Sequence, residues 1–335
     1  MKDIKEIIAD IAVSTRIRLA RNVRGIPFPT GAGETEPEIV KPVYTELSKL
    51  GTFRLFSMEK TGATEANALC ERRLISPDLM RNKQSGAAII SENESISVMI
   101  NEEDHIRQQC FLNGFNLDEA FAAADRIDDA LSDKIDFAFH SDYGYITACP
   151  TNLGTGLRAS VMLFLPALTI TGQIGQLIHA VSRERNTVRG VYGEGSAAEG
   201  SMYQLSNQVS LGITEADILS HVAGTVVKIC SAENEARGTL LKYGTLEIKD
   251  RVQRAYGILT HAARLESKEF MSLLSDVKLG AALELLQLPP SGTLDELIVK
   301  MQPANIMLAA GAELSAEQRD VYRAEFVAKA LSLIS

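Results

Sequence analysis

The chain has 335 residues, 45% hydrophobic and 23% charged, a balance that fits a globular protein with a sizeable core. Its 34 basic and 43 acidic side chains leave a net charge of −9, which argues against non-specific nucleic-acid binding and suits basic polypeptide substrates. Four cysteines (Cys70, Cys110, Cys149, Cys230) lie far apart, with no CxxC pair and no zinc-ligand spacing. The first residues lack the apolar core of a signal peptide, and the longest apolar run, residues 161–168, contains Pro166 and falls short of a membrane span. The expectation is a soluble, cytoplasmic protein with reduced thiols.

In chain order, the first notable segment is Ser14-Thr15-Arg16-Ile17-Arg18, where an extended backbone would point both arginines to one face. Strands are predicted at 53–58, 87–91 and 95–100. The last two flank Glu92-Asn93-Glu94 as a hairpin, so at least part of the sheet is antiparallel. At the end of the third stands Asn101-Glu102-Glu103-Asp104-His105-Ile106-Arg107. Three adjacent carboxylates repel one another, so this is either a solvated acidic turn or a cluster that a cation or a reaction uses.

A helix is predicted after Asn116 as N-cap, with Leu117, Phe121, Ala124, Ile127 and Leu131 on one face. A short strand at 145–147 leads to the loop Cys149-Pro150-Thr151-Asn152-Leu153-Gly154-Thr155-Gly156, then Arg158 and a strand at 159–164. A helix over 168–183 and a strand over 187–192 follow, the latter carrying Arg189-Gly190-Val191-Tyr192-Gly193-Glu194-Gly195. Beyond Thr214 strand signals largely vanish, and helical patterns cover 215–242, 246–265, 267–274, 294–301 and 316–333. Pro289-Pro290-Ser291-Gly292 reads as a linker within this half. The predicted class is α+β, a mainly antiparallel sheet flanked by helices in residues 1–250, followed by an all-helical domain in 251–335.

Common nucleotide signatures are missing: there is no P-loop, and neither an HRD nor a DFG triplet. Gly154-Thr155-Gly156-Leu157-Arg158-Ala159 fits GxGxxA, but it precedes a strand rather than a helix. Taken together and in order, STRIRLARN, NEEDHIR, CPTNLGTGLRASV, RGVYGEG and YQLSN resemble the phosphagen (guanidino) kinase family over residues 12–250. The tail, with SDVKLG and Arg319-Asp320-Val321-Tyr322-Arg323-Ala324, is similar to the bacterial protein-arginine kinases of that family.

The resemblance implies binding of ATP with Mg²⁺ held through the nucleotide, and phosphorylation of a guanidinium nitrogen. Glu103 matches the family's catalytic carboxylate and Glu194 its partner on a loop. Arg16, Arg18, Arg107, Arg158 and Arg189 match the phosphate cage. The ATP-binding segments map to Ser14, Thr15, Arg16, Ile17 and Arg18, to Arg158, Ala159, Ser160, Val161 and Met162, and to Arg189, Gly190, Val191, Tyr192 and Gly193. Cys149 matches a reactive cysteine beside the substrate guanidinium. The chemistry is consistent. A guanidinium, with a pKa above about 12, is a poor nucleophile, and two carboxylates can clamp it and accept its proton.

The tail match implies a phosphoarginine pocket at Arg319, Asp320, Arg323 and Ala324. From the residues alone, this stretch is an exposed helix with a Ser315/Gln318 capping box and an Asp320/Arg323 ion pair. Small-molecule members carry a helical domain ahead of the STRIR-like motif, which here begins at Ser14. That favours an arginine displayed on a protein as acceptor. Further implied partners are an activator protein, a Clp-type chaperone–protease, a stress-gene repressor and a second copy of the chain in a homodimer. Neither nucleic acid nor membrane is expected as a partner. Two positions depart from the family: Ala197 replaces a glutamate, and Arg73 replaces a histidine near the nucleotide. Competing expectations are a kinase of free arginine or another guanidino metabolite, and a non-catalytic phosphoarginine-binding adaptor.

Overall fold

The computed structural model describes residues 7–29, 39–190, 199–288 and 291–332. Ten strands are present among them: β1 (Ala12–Arg21), β2 (Phe53–Ser57), β3 (Ala87–Ser91), β4 (Ile96–Ile100), β5 (Ile106–Asn113), β6 (Phe139–His140), β7 (Gly144–Tyr145), β8 (Leu157–Phe164), β9 (Asn186–Gly190) and β10 (Met202–Asn207). The helices are α1 (Val40–Leu50), α2 (Ala63–Glu71), α3 (Pro77–Arg81), α4 (Leu117–Ser132), α5 (Pro166–Ile170), α6 (Ile174–Ser182), α7 (Glu215–Tyr243), α8 (Thr245–His261), α9 (Ser267–Ala282), α10 (Ser291–Lys300), α11 (Pro303–Ala310) and α12 (Ala316–Ser332).

Eight strands form one sheet in the order β2-β3-β4-β5-β1-β8-β10-β9, while β6 and β7 make a separate hairpin. The pairs β2–β3, β3–β4, β4–β5 and β1–β5 are antiparallel, as the hairpin at residues 92–94 predicts. Contacts divide the chain into two units that are discontinuous in sequence. One comprises Ser14–Val161 and Ser206–Gly224; the other comprises the chain up to Val13, Met162–Leu205 and Thr225–Ser335.

In the first unit, helices cover both faces of the sheet. Met58, Leu69, Leu74, Ile75, Leu79, Ala88, Ile90 and Met99 form a core under α2 and α3. On the opposite face Ile17 and Leu19 of β1 are buried, as are Ala120, Ala124, Ile127 and Leu131 of α4. Covering both faces leaves every residue of β3 buried, which explains its unbroken apolar run AAIIS.

The second unit holds a helical core built on Leu259, Phe270, Leu274, Val277, Leu294, Leu297, Ile306, Ala324, Val327 and Leu331. A smaller cluster joins Met162, Phe164, Met202 and Leu279. The SDVKLG motif is tied in by its polar residues. Asp276 accepts a hydrogen bond from Arg251 (2.8 Å), and buried Lys278 pairs with Asp295 while lying 4.5 Å from the Phe164 ring centre.

Several predicted elements change. The helix over 168–183 is two helices, α5 and α6, broken at Gly172 in a left-handed conformation (φ +71°). Asn116 is the N-cap residue of α4 but its side chain does not cap. Its backbone N–H instead donates to Thr15 Oγ1 (2.9 Å), while its own amide donates to Asn113 O (2.6 Å). The short strand at 145–147 is the two-residue β7, and β5, β10, α1, α2, α3 and α11 are additional elements.

Candidate active site

The acidic triplet is a hairpin loop. Ile100 pairs with Ile106 across β4 and β5, so residues 101–105 turn the chain. Asn101 takes a left-handed conformation (φ +55°), and its N–H donates to His105 O at 3.0 Å to close the loop. The three carboxylates then meet different surroundings. Glu102 is buried and accepts from Arg107 Nη1 at both oxygens, 2.8 and 2.6 Å. Burial opposes its ionisation, but Arg107, the Ser76 hydroxyl and the Glu103 N–H outweigh this and hold it below the ordinary glutamate value.

Asp104 is fully buried, and Oδ1 accepts from Asn22 Nδ2 and Ala148 N, both at 2.6 Å. Burial still pushes its carboxyl up, against those hydrogen bonds. His105 is fully buried too. Its Nδ1 accepts from Val23 N (3.2 Å), which leaves Nε2 as donor to Pro27 O (3.0 Å). Burial lowers its pKa, against Pro27 O and the charge of Asp104, and with both ring nitrogens engaged the imidazole is a structural group.

Glu103 alone of the triplet stays half-exposed. Burial, then the charge of Asp104, push its carboxyl up; Arg107 opposes, Glu102 adds to the rise, and a hydrogen bond from the Cys149 side chain opposes. The structure therefore brings Glu103 and Cys149 together, and the Cys149 thiol also lies 3.0 Å from Thr151 Oγ1. Of the other cysteines, Cys110 and Cys230 are buried and Cys70 is half-buried like Cys149; burial raises Cys70 to about 11 and Cys110 and Cys230 to about 12.

The second feature is a cluster of cations. In the β1–β5 register Arg18 opposes Gln109 and Ala20 opposes Arg107, so Arg16, Arg18 and Arg107 share one sheet face. Arg158 lies on β8, next to β1 in the sheet, and Arg18 Nη2 reaches Ser160 Oγ at 3.5 Å. Burial, then Arg73, Arg107 and Arg158, pull Arg16 down to about 9. Burial, then Arg16, Arg107 and Arg158, pull Arg18 well below its ordinary value, against Glu102. Guanidinium groups stay protonated in proteins, so these directions report burial first and then the mutual repulsion of neighbouring positive charges. The Nε of Arg18 is buried without a partner. Such an array fits a multiply charged anion with equatorial oxygens.

The remaining residues of the nucleotide set divide by strand alternation. Ser14 and Ser160 are on the arginine side, whereas the side chains of Thr15, Ile17, Ala159 and Val161 alternate to the opposite face. Thr15 is occupied in a donor bond to Gly114 O (2.7 Å), and Met162 joins the Phe164 cluster. Gly154 and Gly156 have φ of +107° and +68°. A Cβ there would meet Ser210 O at 2.3 Å and Arg21 Nη1 at 2.5 Å, so the loop before β8 needs both glycines. Arg189 is exposed near the end of β9 with Gly190 after it, in the other unit. Val191, Tyr192, Gly193, Glu194 and Ala197 lie outside the described residues.

In the helical tail Arg323 is 1% exposed. It donates to Met301 O (3.0 Å), Leu265 O (2.6 Å) and Asp320 Oδ1 (2.7 Å), and Ala324 is buried beside it. Arg319 and Asp320 are half-exposed, with Arg319 Nη1 donating to Leu314 O (2.7 Å). The Ser315/Gln318 capping box is present, at 3.2 and 2.8 Å, as is the Asp320/Arg323 ion pair.

Residues 35–236 match the family model described as ATP:guanido phosphotransferase, C-terminal catalytic domain. Residues 245–335 match that described as Protein-arginine kinase McsB C-terminal domain. The chain belongs to the ATP:guanido phosphotransferase family. Relatives named protein-arginine kinase include one from Caldanaerobacter subterraneus, 46% identical over 96% of this chain and 97% of its own length. Another, from Moorella thermoacetica, is 42% identical over 97% and 95%. Among solved structures, a lombricine kinase superposes with a TM-score of 0.60 at 25% identity, covering 71% of this chain and 69% of its own.

For a guanido phosphotransferase, two groups in this site escaped sequence reading. Arg73, known there only as a departure, stands within electrostatic reach of Arg16 and has a left-handed backbone (φ +64°) that its sequence does not signal. Asn22 and Asp104 form a buried joint between loops; the final asparagine of STRIRLARN was the available signal, but an asparagine after a strand reads as a turn residue. Among the described residues no helix is long and apolar enough to cross a membrane, and no group of three His, Cys, Asp or Glu is placed to hold a metal ion.

Proposed function

We propose that the chain is an ATP-dependent protein-arginine kinase, with phosphoryl transfer between the cation cluster and Glu103. The observation that carries this reading is the position of Arg107. It pairs with Glu102, lies close enough to Arg16 and Arg18 to depress both, and favours the ionised form of neighbouring Glu103. A phosphate cage and an acceptor carboxylate thus share one residue as their border.

In this mechanism Arg16, Arg18, Arg107 and Arg158 bind the ATP phosphates and stabilise the charge on the γ-phosphoryl group during transfer, with Arg189 as a further member. Such positioning and charge stabilisation supply most of the rate in phosphoryl transfer. Glu103 receives the substrate guanidinium, orients one nitrogen in line and takes its proton as the N–P bond forms and the P–O bond to ADP breaks. Its raised pKa suits a proton acceptor. We assign Glu194 as its partner carboxylate and Cys149 as a neighbour of the bound guanidinium. The cluster is cationic and Glu102 is committed to Arg107, so Mg²⁺ would enter on ATP oxygens and water rather than in a protein cage. When bound it neutralises phosphate charge.

Residues 1–250 carry catalysis in this reading. Residues 251–335 carry regulation, with a phosphoarginine pocket at the exposed part of Arg319 and Asp320. The names of the relatives support a protein acceptor. From the family resemblance we extend the proposal to marking proteins for a Clp-type chaperone–protease, relief of a stress-gene repressor, an activator protein, a homodimer and a cytoplasmic location.

The test is incubation with ATP and either an arginine-rich protein or free arginine, followed by intact-mass analysis under non-acidic conditions. Acid-labile phosphate should appear on the protein acceptor, and Glu103→Gln should lower the rate about 10²- to 10⁴-fold, the span of a lost general base. Phosphate on free arginine alone would show a metabolite kinase. Binding of phosphoarginine without any transfer would show an adaptor.

A further inference from the structure

The loop bearing Glu103 and the loop bearing Cys149 come from separate stretches of chain, and one buried side chain touches both. Asn22, 1% exposed, follows β1 directly. Its Nδ2 donates to Asp104 Oδ1 (2.6 Å) in the Glu103 loop and to Ile146 O (3.0 Å) in the segment leading to Cys149. Its Oδ1 accepts from the His105 N–H at 2.9 Å. Asp104 Oδ1 then accepts from Ala148 N (2.6 Å), one residue before Cys149.

Two donors and an acceptor on a side chain of this length are what an asparagine amide supplies. Aspartate would set a second carboxylate against Asp104, and serine would keep at most one of the two donations. We infer that Asn22, acting through Asp104, is the positioning residue that fixes Glu103 and Cys149 relative to each other. The claim rests on the reading above, in which both face the acceptor guanidinium. It assigns Asn22 no contact with substrate. Its effect is on alignment, where about 1 Å of misplacement costs on the order of a hundredfold in rate.

The test uses the full chain with Asn22→Ala and Asn22→Asp. The first readout is the pH–rate profile of Cys149 alkylation by iodoacetamide, mapped by peptide mass. The raised thiols of Cys70, Cys110 and Cys230 keep the signal on Cys149. In Asn22→Ala the two loops lose their shared tie, and the rate of Cys149 alkylation across the profile should change by about threefold or more. The kcat for arginine phosphorylation should fall at least about tenfold while KM for ATP changes less than about twofold. Asn22→Asp should show the same defect at neutral pH and recover toward acid, as one proton bridges the two carboxylates.

An unchanged alkylation profile in folded Asn22→Ala, or an Asn22→Asp defect that does not vary with pH, would overturn the inference. If Asn22→Ala does not fold, Asn22→Ser is judged by the same profile. Alkylation needs neither ATP nor an acceptor, so a wild-type chain that fails to phosphorylate arginine would refute the kinase reading and leave this result standing.

Discussion

The three carboxylates of the NEEDH loop show how neighbouring side chains of one chemistry acquire different tasks. Glu102 is ionised against Arg107, Asp104 is buried as a hydrogen-bond acceptor, and Glu103 keeps solvent access with its pKa raised. The Cys149 hydrogen bond favours ionised Glu103, so Cys149→Ala should raise the Glu103 pKa further. The acid limb of kcat/KM would then move to higher pH, by about half a unit, with activity above neutrality little changed. A pH–rate profile checks this, and a limb that stays put or moves down would separate Cys149 from Glu103. The acidic cluster and Arg107 were legible in the sequence because dense like charge at a strand end is unusual. Which carboxylate stays accessible was not, since it depends on Arg107, Ser76, Asn22 and Ala148 arriving from other segments. Without the family resemblance, Glu103 would not have been distinguishable from its neighbours.

At the scale of elements, the cation cluster is a product of strand alternation. β1 places Arg16 and Arg18 on one face while Thr15, Ile17 and Leu19 are buried on the other. β5 is less visible in sequence because IRQQCFLN does not alternate apolar and polar residues. Gln108 and Gln109 are nevertheless buried, one donating to Asp128 Oδ1 (3.0 Å) and the other to Leu74 O (3.2 Å). Those partners make a central strand of polar residues affordable, and they lie far away in the chain. The crowding of guanidinium groups has a measurable consequence. Arg18→Met removes one buried-side charge from a repelling set and keeps the apolar stem in place. The nucleotide-free protein should melt about 1–3 °C higher, a shift of the size produced by about 1 kcal/mol in a chain of this length. The stabilisation that ATP confers on the wild-type chain should largely vanish in the variant. Thermal melts with and without ATP test both arms. A lower melting temperature without nucleotide would mean that Arg18 is held by protein partners rather than awaiting an anion.

At the scale of the whole molecule, the question is whether the helical tail regulates or merely folds, and the RDVYRA stretch contains residues suited to each role. Arg323 is buried and ties α12 to Met301 and to Leu265, the residue that follows the end of α8 by a short connection. Removing it leaves two carbonyls and Asp320 without their donor, so Arg323→Ala should cost about 3–5 kcal/mol and lower the melting temperature whatever the effector. Asp320 is a mixed case, since its carboxylate holds Arg323 as well as facing solvent. Arg319 is the cleaner probe. It is half-exposed, its Nη1 donates to Leu314 O, and α12 keeps its Ser315/Gln318 cap without it. Arg319→Ala should therefore melt within about 1 °C of wild type, as surface substitutions generally do. If the tail is a phosphoarginine sensor, the same variant should lose most of any change in kinase rate produced by free phosphoarginine, while its basal rate stays within about twofold. Rates measured across a phosphoarginine titration, beside melts of both variants, decide the matter. A basal rate that falls together with the response would place Arg319 among the structural contacts of the tail, and an undiminished response would move the sensor elsewhere.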